Sequence, residues 1–285
     1  MHFKSLALLL AASITLFADF NPSWNKPVQP YRVISNIYYV GTNNLASYLI
    51  HTPAGNILIN PSFEESVPLI RDSVEKLGFH FNDVKIILMS HAHDDHAAGS
   101  ALAKKLTGGK LMVMDADVAE VEAGGVGDFY YNSRWVAAKV DRVLHDGDTV
   151  SLGGVTLTAH LTPGHTKGCT TWTTDVTDHG HVEHVVVVGS PNVNPGFKLV
   201  GNEKYPQIAA DYTKTFRVLS ALPCDVFLGA HGAYYGMDEK MKKMSGAAQN
   251  VFIDPAGYKA YVSEREQAFR HELAKQQAAA KHAPI

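Results

Sequence analysis

Apolar residues fall in short runs along the chain, and most runs end at glycine, proline or asparagine. Between residues 33 and 59 the breaks are Gly41-Thr42-Asn43-Asn44 and Pro53-Ala54-Gly55, which predicts two or three strands. The period then changes. Val67, Ile70, Val74 and Leu77 share one face at helical spacing, so a helix is expected over residues 65–77. Val84-Lys85-Ile86-Ile87-Leu88-Met89 is apolar almost throughout, as in a strand covered on both faces of a parallel or mixed sheet. A helix over residues 97–106, stopped by Gly108-Gly109, and a strand over residues 110–114 follow. In the second half, apolar strands at 155–161 and 226–228 alternate with helices over residues 211–219 and 256–276. No repeat or low-complexity linker interrupts this order, so one α/β domain with two halves is expected.

The densest chemistry lies where the run at 84–89 stops. Ser90-His91-Ala92-His93-Asp94-Asp95-His96 holds three imidazoles and two carboxylates. Such nitrogen and oxygen donors suit zinc and related metals, and ligands gather at the carboxyl ends of strands in open α/β sheets. The alternative is a solvated loop with chance histidines. Bringing this much charge together without a cation is costly, which favours a metal. His91 and His93 are two apart and point the same way in extended backbone, so they can share one ion. Asp95 and His96 begin to turn into the helix and can serve a second. Asp94 reads as a helix cap or a solvent-facing residue. Four donors do not complete two shells. His165 in Leu161-Thr162-Pro163-Gly164-His165-Thr166 and His231 in Leu228-Gly229-Ala230-His231-Gly232 repeat the strand-then-turn pattern and are the candidates to complete them.

The series His91-x-His93-x-Asp95-His96, Gly164-His165-Thr166 and Gly229-Ala230-His231-Gly232 resembles the metallo-β-lactamase superfamily. Gly168-Cys169-Thr170-Thr171-Trp172, Asn194-Pro195-Gly196-Phe197-Lys198-Leu199 and Ala221-Leu222-Pro223-Cys224-Asp225-Val226 narrow the resemblance to subclass B3 over roughly residues 33–273. It implies a four-layer αβ/βα sandwich with a dinuclear site at the edge of two sheets. It also implies two Zn2+ per chain, one held by His91, His93 and His165, the other by Asp95, His96 and His231. The activity implied is hydrolysis of the β-lactam amide of penicillins, cephalosporins and carbapenems, with Asp95 also orienting the nucleophile. Ser190, Asn192 and Lys198 are the candidates to receive the substrate's acid group. Ser190 stands where many hydrolases of the superfamily carry a bridging aspartate, which argues against lactonase-like and thioesterase-like chemistry. Asn60, where many members have an aspartate, can still hydrogen-bond the metal loop. An iron-dependent oxidoreductase is a third reading, and no residues remain for the flavin domain it would need. In related enzymes the cysteine of the Leu-Pro-Cys-Asp segment often pairs with one near the carboxyl terminus. Here Tyr258 takes that place, so Cys224 is expected to be a buried free thiol and Cys169 a packing residue.

Composition changes this picture little. The chain has 285 residues, 46% of them hydrophobic, enough for a substantial core. A formal charge of −3 and the lack of a basic run give no reason to expect nucleic acid as a partner. Lys4 followed by an apolar stretch over residues 6–17 reads as a signal peptide ending at Ala18. The run is too short to favour a membrane span. The mature chain, residues 19–285, is therefore expected in the periplasm or secreted, and is taken as a monomer. The glycine- and tyrosine-rich segment 123–132, which contains Tyr130, reads as a mobile flap beside a cleft. Trp24 and Tyr235 are candidates for its wall. His179, His181 and His184 could suggest a further metal site, but their setting favours an exposed hairpin loop.

Overall fold

The computed structural model describes residues 22–246 and 249–282. The expected signal peptide, residues 1–18, lies outside the described residues. Seven strands form the first sheet in chain order: β1 (Tyr31–Ile34), β2 (Ile37–Tyr39), β3 (Tyr48–Thr52), β4 (Gly55–Ile59), β5 (Val84–Leu88), β6 (Lys110–Met114) and β7 (Arg142–Leu144). The first four are antiparallel, and β4 to β7 are parallel. The second sheet is β8 (Thr149–Leu152), β9 (Val155–Leu161), β10 (Thr170–Asp178), β11 (His181–Val188) and β12 (Val226–Gly229), antiparallel except for the β11–β12 pair.

Each parallel step needs a crossover. In the first half these are α1 (Ser66–Lys76), then α2 (Asp94–Ala97) with α3 (Ser100–Thr107), then α4 (Asp115–Glu122). In the second half α5 (Ile208–Ala221) links β11 to β12, and α6 (Met237–Met244) and α7 (Pro255–Lys281) follow.

Successive side chains on a strand leave by opposite faces. Leu49, Leu58 and Ile87 therefore pack with Val67, Ile70 and Val74 of α1. Their neighbours Ile50, Ile57, Ile59, Ile86 and Leu88 belong to the core that also holds Trp172, Val185 and Val187 of the second sheet. Both faces of β5 are covered, which is why its sequence is almost continuously apolar. Tyr212 and Phe216 of α5 and Phe269 of α7 cover the far side of the second sheet, with the Tyr212 and Phe269 rings stacked at 5.3 Å. The layers are helix, sheet, sheet, helix: the four-layer αβ/βα sandwich.

The single helix expected at 97–106 is divided into α2 and α3. The Gly99 N–H is drawn away to Ser62 O at 2.7 Å between them. α7 is longer than expected at both ends. Pro255 opens it, and the Asp254 side chain caps it by accepting from Gly257 N.

Candidate metal centre

The segments after β5, β9 and β12 meet at one edge of the sandwich. His91 and His93 follow β5, and Asp95 and His96 lie in the first turn of α2. His165 follows β9, and His231 follows β12. Donor atoms of His91, His93 and His165 lie within 4.8 Å of one another, as do those of His91, Asp95 and His96. The third donor set is tighter. His231 Nε2 is 3.1 Å from His96 Nε2 and 3.3 Å from Asp95 Oδ2, and His96 Nε2 is 3.3 Å from the same oxygen. A tetrahedral zinc with bonds of about 2.0–2.1 Å sets its donors about 3.3–3.4 Å apart. The residues therefore fit a metal ion in both spacing and donor type.

The ligand loops are fastened from behind. Ser90 Oγ sits 3.1 Å from His91 Nδ1, and Asn192 O accepts from His165 Nδ1 at 2.9 Å, which leaves the opposite nitrogen of each ring for the centre. Tyr212 donates to the same Asn192 carbonyl at 2.6 Å. Gly164, at φ 128°, must be glycine because a Cβ there would lie 2.7 Å from the Tyr212 ring. Asn60 occupies the left-handed region at φ 61°, which asparagine tolerates. Its Oδ1 accepts Ser90 N at 2.7 Å and its Nδ2 donates to Ala46 O at 3.2 Å, so it holds the metal loop as expected from the sequence.

Asp117 joins the two ligand loops. It is buried in α4 and accepts from Ala92 N at 2.9 Å, Thr166 Oγ1 at 2.8 Å and Gly168 N at 2.6 Å. A Cβ on Gly168 would meet Asp117 at 2.6 Å, so the close approach requires glycine. The second sheet adds Trp172 Nε1 to Met89 O at 3.0 Å and Thr170 N to Ser90 O at 2.7 Å.

Burial, then the neighbouring imidazoles, holds His91 well below the ordinary histidine value; burial and then His93 hold His165 at about 3. Burial also lowers His96. Burial opposes charge on Asp95, but His96 and His231 outweigh it and keep this carboxyl well below its usual range. Neutral His91, His96 and His165 beside a charged Asp95 are the protonation states that metal ligation requires, whereas for His93 burial is outweighed by the Asp128 carboxylate and the value is raised. Farther back, Glu120 is pushed up to about 10 by burial, then by the charges of Asp117 and Asp128.

A cleft of about 260 Å³ opens over this cluster, walled by Trp24, Tyr131 and Tyr234 with Asn44, Asn192 and Asn194. Trp24 lies edge-on to His231 at 5.4 Å.

A family profile described as the metallo-beta-lactamase superfamily matches residues 40–231. The chain belongs to this superfamily. Among solved structures, the native FEZ-1 metallo-beta-lactamase from Legionella gormanii is similar at 51% identity, with a TM-score of 0.88, covering 89% of this chain and 98% of that one. A subclass B3 metallo-beta-lactamase of Bradyrhizobium japonicum is similar at 41% identity and TM-score 0.84, covering 90% and 98%. A class B3 di-zinc metallo-beta-lactamase from an Alaskan soil metagenome is 33% identical at TM-score 0.85, covering 89% and 97%. These likenesses identify a B3-type member of the superfamily. Curated relatives are more distant. The hydroxyacylglutathione hydrolase of Hyphomonas neptunium is 28% identical over 44% of this chain and 41% of that one. The mitochondrial persulfide dioxygenase of Homo sapiens is 28% identical over 41% and 37%. The chain spans only about two-fifths of the length of these relatives.

The metallo-beta-lactamase cleft differs from the wall expected of its sequence. Of the proposed substrate contacts, Asn192 lines it. Tyr235 does not: its ring is 3% exposed and packs near Phe252, and Tyr234 takes the place on the wall. Both lie in the 3-10 turn Gly232–Tyr235, where neighbouring side chains point in different directions. Tyr130 supports the rim from behind by donating to Pro195 O at 2.9 Å, and Tyr131 faces the cleft. Ser190 is buried, with Oγ 3.2 Å from the Tyr234 hydroxyl, and Lys198 is exposed away from the lining. The flap is held at its base: Gly125 N donates to Glu120 O at 2.9 Å, and Trp135 N to Gly124 O at 3.1 Å.

Cys169 is buried, with Sγ accepting Ser190 N at 3.2 Å, and Cys224 is a free thiol that is partly rather than fully buried. Asp94 opens α2, its carboxylate accepting Asp95 N at 2.9 Å, and it lines the cleft. His179 and His181 flank the exposed β10–β11 turn. The sequence pattern does not distinguish Asp117, Asp128, Tyr131 or Tyr234. Asp117 sits among acids that look like an ordinary helix start, and no spacing distinguishes it.

Proposed function

We propose that this chain hydrolyses the amide bond of β-lactam antibiotics with two zinc ions, one at His91, His93 and His165 and one at Asp95, His96 and His231. The observation that carries this reading is the convergence of these six side chains beneath an open cleft. The likeness to the Legionella gormanii enzyme supports the substrate class. Zinc bound there supplies a water nucleophile at neutral pH and polarises a carbonyl.

The chain's own residues do the rest. Asp95 stays charged at the floor of the cleft and would accept a hydrogen bond from the attacking water, orienting it. Trp24, Tyr131 and Tyr234 cover the flanks of the substrate and limit access of bulk water. Among the described residues no lysine or arginine lines the cleft. The acid group of the substrate therefore meets the side-chain amides of Asn44, Asn192 and Asn194, under the positive potential of the metal sites. Ser190 is turned to Tyr234, so it adds no charge between the ligand sets. That favours an amide over the lactone and thioester substrates considered above.

The test compares kcat/KM on penicillin, cephalosporin and carbapenem substrates with kcat/KM on an acyl-homoserine lactone and S-lactoylglutathione, in one zinc-containing buffer. β-Lactams should lead. A preference for the lactone or the thioester would reject the substrate class and leave the metal centre standing. Iron in the purified protein, with dioxygen consumption, would favour the redox reading instead. We also assign the protein to the periplasm or the medium, on the strength of the apolar segment at residues 6–17. Among the described residues no helix is long and apolar enough to cross a membrane. Amino-terminal sequencing of the exported protein should find its start near Asp19.

A further inference from the structure

His93 Nε2 and Asp128 Oδ2 face each other at 3.5 Å, with side-chain exposures of 7% and 3%. Among the described residues neither atom completes a hydrogen bond of normal geometry, and the buried carboxyl of Glu120 also faces Asp128. Burying either alone is unfavourable, so each accounts for the other. The second oxygen of Asp128 is already engaged. Oδ1 accepts the backbone N–H of Tyr130 at 2.6 Å and that of Tyr131. Those two amides fix the rotation of the carboxylate and leave Oδ2 aimed at His93. The Tyr131 ring stands edge-on to His93 at 4.8 Å, and its hydroxyl accepts Asn194 Nδ2 at 2.6 Å on the rim of the cleft.

We propose that Asp128 is a positioning residue that accepts the Nε2 proton of His93, turns Nδ1 toward the first metal, and sets the Tyr131 wall with its other oxygen. A metal-bound imidazole is neutral and carries one N–H, and the partner of that N–H decides which nitrogen ligates. One carboxylate thus couples a ligand's orientation to the shape of the cleft. The inference rests on His93 being a ligand. Its test reads metal binding, so the substrate class does not enter.

Asp128→Asn separates the two tasks. The amide keeps an oxygen for Tyr130 and Tyr131 but turns an NH2 group toward His93. Two donors then face each other, and His93 can relieve this only by carrying its proton on Nδ1, the atom needed by the metal. In competition with a chromophoric chelator, one of the two ions should bind about 10- to 100-fold more weakly in this variant. The other should be retained, and the visible spectrum of the cobalt-loaded protein should change. Asp128→Glu, which restores an acceptor, should recover part of the affinity. Unchanged affinity and an unchanged cobalt spectrum in Asp128→Asn would overturn the proposal. If that variant does not fold, the zinc-loaded wild type decides through nitrogen-15 histidine spectra. A slowly exchanging proton on His93 Nε2 is expected, and one on Nδ1 overturns the assignment. A wild type that takes up no metal would overturn it together with the reading it rests on.

Discussion

His91, His93 and His96 follow β5, and His179, His181 and His184 sit at the β10–β11 hairpin, each trio within a six-residue stretch. The first trio is buried and meets Asp95, His165 and His231 from other segments. In the second, His179 and His181 are exposed, and His184 pairs with Asp175 at 2.7 Å, which raises its pKa. The two stretches have the same density of imidazoles. They differ in what the fold places opposite them. Strand ends from both sheets face the first trio, whereas the hairpin projects beyond its sheet toward solvent. Local spacing thus nominates a metal site, and convergence of distant segments with burial makes one.

The largest effect should come from removing metal. Dialysis against a chelator should lower β-lactam hydrolysis more than about 100-fold, and added zinc should restore it. Full activity in verified metal-free protein would end the zinc-dependent reading. Next, His165→Ala and His231→Ala should each lose more than about 100-fold in kcat/KM, with metal content reduced. The matching changes in the hairpin, His181→Ala and His184→Ala, should leave activity unaltered and stability within about 0.5 kcal/mol. Equal damage from His181→Ala and His165→Ala would erase the contrast between the trios.

Asp117→Asn sharpens it from behind the ligands. The amide cannot accept all three hydrogen bonds, so urea unfolding of the metal-free protein should show a loss of about 1–3 kcal/mol. Weaker metal binding should accompany it, because the Ala92 and Thr166 loops are no longer joined. An unchanged midpoint and unchanged zinc affinity would show that Asp117 does not couple them.

The smallest effect concerns Glu120, held up at about 10. In the folded protein it keeps its proton at neutral pH, while the unfolded chain ionises near the ordinary carboxylate range of about 4.3. The folded state therefore holds more protons between those values, and this group lowers stability as pH rises through that window. Glu120→Gln should flatten the decline between pH 6 and 9 and leave the protein at least as stable at pH 8. A steeper decline in the variant would contradict this.

Most of the fold could be read from period and punctuation. β5, β6 and β9 carry apolar runs with clear stops, and α1 shows its face at Val67, Ile70 and Val74. The histidines were legible because each follows a strand and precedes a turn. The division of α2 from α3 was not, because it depends on Ser62, more than thirty positions earlier, accepting from Gly99. The choice between Tyr234 and Tyr235, or Tyr130 and Tyr131, depends on turn geometry that neighbouring identical residues do not reveal. Asp117 and Asp128 act through backbone amides and a ring nitrogen of other segments, and such partners leave no local pattern.

The Tyr258 hydroxyl donates to Leu219 O at 2.7 Å while Cys224 remains a thiol. The carboxyl-terminal helix is thus latched to α5 by a hydrogen bond and ring packing rather than by a covalent staple. Native architecture is then independent of oxidative maturation. The protein should reach the same state in a reducing cytoplasm as in an oxidising compartment, and a thiol reductant should leave its melting temperature unchanged.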